Sequence, residues 1–159
     1  MAYNWAQLAF VEKWRLQAVR GSVVGMHRPA DRTFFDLRLR PGEGNVGAIP
    51  STMDIHLQDA GDIIREKRVG LLNMASVVIR AVGTASNDSE DQIVTGRPKR
   101  LLEVGSVLSA VLVRIDGDVA QLDAGFPILV QLPEPLPDVM LGQTVRVSIT
   151  ESPKGFLVV

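Results

Sequence analysis

The sequence predicts an all-β protein, mainly β, built as two successive five-stranded barrels behind one N-terminal helix. Three observations predict it. From Val19 onward, apolar residues come in short runs bounded by Gly, Pro, Asn and Asp, the pattern of strands and turns. The tripeptide Gly21-Ser22-Val23 recurs as Gly105-Ser106-Val107. The order of strands and turns after the second copy repeats the order after the first.

The elements follow in order. Asn4 is a good helix N-cap, and Gln7 three residues later completes a capping box. Trp5, Leu8, Ala9, Val11 and Trp14 approximate one apolar face at helical spacing, so both Trp residues are expected in the core, closing a barrel end. Residues 20–26 form the first strand. Residues 33–39 form the second, with Phe35, Leu37 and Leu39 on one face and Phe34, Asp36, Arg38 and Arg40 on the other. Residues 41–45 are a turn cluster. Residues 46–49 are a short third strand ended by Pro50, and a charged inter-strand helix is expected near residues 60–69. Residues 76–82 and 92–95 give the fourth and fifth strands, separated by a polar, acidic loop.

The second unit begins with a long strand over residues 106–115. Asp116-Gly117 is a tight-hairpin signal, and residues 119–122 return. Residues 126–132 are the third strand, and a Pro-rich stretch over 133–137 stands where the first unit has its helix. Residues 144–150 alternate as a strand, 151–155 read as a turn, and 156–159 as the last strand. Two such units suggest Greek-key OB-type barrels, residues 1–102 and 103–159. Barrels this small are individually marginal, so contact between them matters for stability.

Composition narrows the function classes. Of the 159 residues, 46% are apolar and 22% charged, close to the globular average and unlike a disordered chain. There is no cysteine, so disulfides and Cys-containing zinc sites are excluded. His27 and His56 are the whole supply of imidazole, and they stand far apart in sequence; no metal and no cofactor is expected. No apolar run approaches the roughly 20 residues of a membrane span, and the first residues lack the basic and apolar regions of a signal peptide. A cytoplasmic location with no membrane partner is the expectation. The net charge of −1 is unevenly distributed. Residues 1–102 hold 14 Lys/Arg and 11 Asp/Glu; residues 103–159 hold 3 and 7. The first half attracts polyanions and the second repels them.

The first hundred residues also resemble a known family. A Trp-containing segment precedes the strand start Gly21-Ser22-Val23, and the hydrophobic strand Phe34-Phe35-Asp36-Leu37 follows. Then come Gly47-Ala48-Ile49-Pro50-Ser51, a charged segment, the strand Val77-Val78-Ile79-Arg80-Ala81-Val82, and Ile93-Val94-Thr95-Gly96-Arg97. This order resembles the S1-type RNA-binding repeat, an OB module. The family's usual phenylalanine-glycine pair after the first strand is replaced by His27-Arg28-Pro29-Ala30-Asp31-Arg32. The second unit resembles the same barrel more loosely. The resemblance implies a non-enzymatic binder of single-stranded RNA, with single-stranded DNA as the related ligand.

The residues suited to that role form a basic and aromatic group. Phe34, Arg38 and Arg40 share the outward face of the second strand, His27, Arg28 and Arg32 lie in or beside the preceding loop, and Arg97, Lys99 and Arg100 follow the fifth strand. Single-stranded nucleic acid needs positive charge for phosphates and flat side chains for stacking, and these residues offer both. The bland alternative is a solvated charged face.

Other patterns have simpler explanations. Gly42-Glu43-Gly44-Asn45-Val46-Gly47 matches G-x-G-x-x-G but leads into Ala48-Ile49-Pro50 and not a helix, so it reads as a hairpin loop. Arg65-Glu66-Lys67-Arg68 reads as a solvated helix surface. Asp54-x-His56 near Ser51 lacks any sign of a hydrolytic set, which depends on spatial closeness. Asp116 and Asp118 belong to the hairpin. Leu108, Ala110 and Leu112 alternate with Val107, Val111, Val113 and Ile115, a strand apolar on both faces. Such a strand is normally covered twice, so Leu108, Ala110 and Leu112 are expected to be buried as interface residues, against the first barrel, the N-terminal helix, a protein partner or a second copy in a homodimer, unless sheet curvature alone buries both faces. The rival to RNA binding is a protein-interaction adaptor that keeps the barrel without the nucleic-acid face. A third reading is a non-catalytic binding subunit of an enzyme.

Overall fold

The computed structural model describes residues 3–28, 32–42, 49, 51–66, 73–85 and 102–158. Helix α1 spans Trp5–Trp14, and strands β1 (Val19–His27), β2 (Phe34–Leu39) and β3 (Met53–Asp59) follow. A 3-10 turn and the short helix α2 (Ile63–Glu66) come next, then β4 (Met74–Ala85). The remaining strands are β5 (Val107–Asp116), β6 (Val119–Asp123), β7 (Pro127–Gln131) and β8 (Thr144–Leu157). The protein is mainly β, and no helix among the described residues is long and apolar enough to cross a membrane.

In place of two five-stranded units in succession, the described strands form one continuous eight-stranded sheet. Its pairings make two five-strand circuits that share two strands. In the first, β1 pairs β2, β2 pairs β3, and β1 pairs β4, all antiparallel, while β3 runs parallel to β8. In the second, β5 pairs β6, β6 pairs β7, and β5 pairs β8, all antiparallel, while β7 runs parallel to β4. The antiparallel pair β4–β8 closes both. Each group of four strands thus lends its fourth strand to the other as a fifth.

This arrangement corrects two expectations. The third strand of the first unit is Met53–Asp59, where Met53, Ile55, Leu57 and Asp59 point inward and Asp54, His56 and Gln58 are half-buried. Of the earlier assignment at 46–49, residues 46–48 lie outside the described residues and Ile49 is not in a strand. The expected turn over 151–155 is absorbed into β8. Pairing with β4 jumps from Arg80↔Lys154 to Val82↔Glu151, so β8 carries an extra residue beside Pro153. Proline gives no ladder hydrogen bond and is tolerated at such a bulge. The expected fifth strand, 92–95, lies outside the described residues.

Alternation builds one continuous core. Phe35, Leu37 and Leu39 of β2 meet Ile55 and Leu57 of β3, and the same buried cluster runs on through Ile79, Leu112, Leu122, Ile128 and Val147. Each such side chain contributes roughly 1.5–3 kcal/mol by leaving water. The capping box at Asn4 and Gln7 starts α1 as the sequence indicates. The helix buries Val11 and Trp14 against Val78 of β4, Leu129 of β7 and Phe156 of β8, on the outside of the shared strands. Trp5, by contrast, is 87% exposed, because the buried stripe of α1 runs through Val11 and Trp14. Leu108, Ala110 and Leu112 are buried in the core, as expected, while Val111 and Val113 on the other face are exposed. That strand is covered on one face, not two.

Candidate functional site

The outward face of β1–β2–β3 gathers most of the chemistry. Register determines who meets whom. His27 stands opposite Phe34, Gly25 opposite Asp36, Asp36 opposite His56, and Arg38 opposite Asp54. Outward residues of neighbouring strands at these positions are close enough to touch.

Arg38 and Asp54 use that closeness fully. The Arg38 Nε donates to Asp54 Oδ1 at 2.8 Å and Nη2 to Oδ2 at 3.0 Å, a two-pronged pair. This hydrogen bonding, with the carboxylate charge, raises the guanidinium pKa further. Arg38 does face outward as its spacing indicates, but its charge is matched. Arg40, one turn of the pleat further, is exposed and reaches Ser22 Oγ at 3.4 Å. Arg28 and Arg32 are exposed just beyond the paired ends of β1 and β2. Arg97, Lys99 and Arg100 lie outside the described residues.

At the centre of the face, Asp36 sits between both histidines of the chain. One carboxylate oxygen meets His56 Nδ1 at 2.7 Å and the other meets His27 Nε2 at 3.1 Å. An ionised carboxylate only accepts, so both ring nitrogens carry the hydrogens. Partial burial pushes the Asp36 carboxyl upward, but the hydrogen bonds and charge of His56 and His27 outweigh it. The group stays below its ordinary range. Phe34 lies flat against His56, ring centroids 5.2 Å apart and planes 2° from parallel, and His27 is 5.8 Å from His56.

Gly25 makes the arrangement sterically feasible. A Cβ built on it would lie 2.6 Å from Asp36 Oδ2 and 3.4 Å from His27 Nε2. Gly25 is not among the glycines with positive φ, so the backbone does not demand glycine there. What requires it is the space the carboxylate fills.

The structure therefore unites His27, Phe34, Arg38 and Arg40 on one face with Arg28 and Arg32 at its end. It adds Asp36, Asp54 and His56, which the sequence reading did not place in a site. The signal for them was the alternation of residues 53–58. The two histidines, far apart in sequence, are brought to one carboxylate by the β1–β2–β3 register. Asp116 and Asp123 form no cluster with each other; Asp116 is engaged by Lys13, and Asp123 accepts from the Gly125 N–H at 2.9 Å. No protein family, curated protein or solved structure matches the chain.

Proposed function

We propose that the protein binds single-stranded nucleic acid, RNA in preference to DNA, across the outward face of β1–β2–β3. The observation that carries the reading is the flat Phe34–His56 pair on that face, with exposed arginines at both of its ends. Flat rings give bases a stacking platform, worth roughly 1–3 kcal/mol per base, and arginines give phosphates their countercharge. The pairing scheme supports it as well. Each circuit is a three-strand meander closed by its fourth strand, with a parallel partner for its third, which resembles the OB barrel. Such barrels commonly take oligonucleotides on the face of their second and third strands. On this reading the two circuits are a pair of OB-type barrels that have exchanged strands, and the protein acts by binding, not by catalysis.

Binding of a labelled single-stranded RNA of mixed sequence, measured against salt, tests the proposal. With Arg38 neutralised by Asp54, three arginines among the described residues of this face are left for phosphates: Arg28, Arg32 and Arg40. At about 0.7 per phosphate, log affinity should fall against log salt with a slope near −2. Phe34→Ala should weaken binding and leave the slope unchanged, because stacking releases no ions. Failure of RNA to bind at low salt would overturn the reading in favour of the protein-interaction adaptor, for which partner capture is the next experiment.

A further inference from the structure

We propose that His27, Asp36 and His56 form a binding site for a divalent transition metal, with zinc as the ion of choice. The three side chains come from three adjacent strands, and their ligand atoms lie within 4.8 Å of one another. Tetrahedral zinc with bonds of about 2.0–2.1 Å holds its ligand atoms about 3.3 Å apart. The His56–Asp36 and His27–Asp36 contacts, 2.7 and 3.1 Å to the two different carboxylate oxygens, are both somewhat shorter than that, so the ligand atoms need only move slightly apart. Small side-chain rotations bring the two imidazoles around a shared ion.

The chemistry of the donor set fits. Two imidazole nitrogens and one carboxylate oxygen suit zinc, cobalt, nickel and iron(II), and do not suit calcium or magnesium, which favour all-oxygen shells. In the metal-free arrangement, two hydrogens hold the rings to Asp36. The ion takes the place of both. Each ring then turns a lone pair inward and keeps one hydrogen on its other nitrogen; a ring that was cationic releases its second proton to water, so charge and atoms balance.

Two features point to a built site. Gly25 leaves space for the carboxylate, which a Cβ there would push from its present position. Phe34 stacks on His56 and fixes its ring plane. The His27 side chain is 56% exposed, so the fourth coordination position faces solvent and is open to water or an anionic oxygen. Three protein ligands and one open position differ from the closed four-ligand set of a structural zinc site and leave the ion room for an exogenous ligand.

The inference does not rest on nucleic-acid binding, and its test contains no RNA. Full-length protein freed of metal with a chelator is titrated with Zn²⁺ at constant pH while the ring signals of its histidines are followed by NMR. The chain has only two histidines, so the expected result is specific: both move together and saturate at one ion per chain. Co²⁺ should give visible absorption of a site with nitrogen and oxygen ligands. Loss of a ligand, in His27→Ala, Asp36→Asn or His56→Ala, should weaken binding by at least the tenfold or so typical of losing an outer partner. Gly25→Ala should weaken it too, with all three ligands still present. Unmoved histidine signals in excess Zn²⁺, or equal affinity in the folded His27→Ala protein, would overturn the proposal. The wild-type NMR result decides the matter even if a variant fails to fold.

Discussion

The ammonium of Lys13, on α1, lies 2.6 Å from the carboxylate of Asp116 at the tip of the β5–β6 hairpin. It ties the helix to the far circuit. The hydrogen bond from Lys13, partly opposed by desolvation and aided by the Lys13 and Arg114 charges, holds Asp116 below its ordinary 3.8. A depressed carboxylate stabilises the fold above its unfolded pKa and loses that contribution as pH falls through the folded one. Lys13→Ala should return Asp116 toward 3.8, read by NMR titration of the carboxyl. An unchanged titration would show the pair is not formed in solution.

The close approach of β4 and β8 rests on Gly83. A Cβ there would lie 2.5 Å from the Ser148 carbonyl oxygen and from Val147 Cγ1. The backbone oxygen cannot rotate away. Gly83→Ala should therefore cost about 1–3 kcal/mol, the usual range for overpacking, in chemical denaturation. A neutral result would mean the two strands are less tightly apposed than the structure has them.

Asp54 is expected to restrain nucleic-acid binding. Asp54→Asn removes the charge that occupies Arg38. On the proposed function, affinity for single-stranded RNA should rise and the salt slope should steepen by about 0.7, one more phosphate contact. Stability should change by only about 0.2–1 kcal/mol, since both partners are substantially exposed. Lower affinity would argue that Arg38 binds nothing beyond Asp54.

Strand exchange makes a firm statement about fragments. Residues 1–102 lack β8, and residues 103–159 lack β4. Each fragment alone should remain poorly ordered by circular dichroism, and mixing them should restore the sheet. Independent cooperative unfolding of either fragment would show that the shared strands are dispensable.

Much of this was legible from residues alone. The capping box, the inward Phe35, Leu37 and Leu39, and the Asp116-Gly117 hairpin follow from local rules, and all are present. Met53–Asp59 alternates as plainly as β2, yet no element is expected there from the sequence, between the short strand at 46–49 and the helix near 60–69. The site was half legible for the same reason. Spacing places Arg38 outward, but register alone places Asp54 opposite it. Glu151-Ser152-Pro153 has the composition of a turn, and only pairing with β4 draws it straight. Pairing across 60 residues or more leaves no local mark.

The two shared strands also impose a schedule on the chain's birth. A ribosome delivers β1 through β4 first, and β8 after every other strand. Until then β3 lacks its parallel neighbour and β4 lacks its long antiparallel partner, so naked strand edges persist until β8 is made. Such edges invite pairing with other chains. Contacts this distant in sequence also slow folding. The first circuit thus cannot close before β8 is made, and the edges of its early strands stay open to such pairing until then.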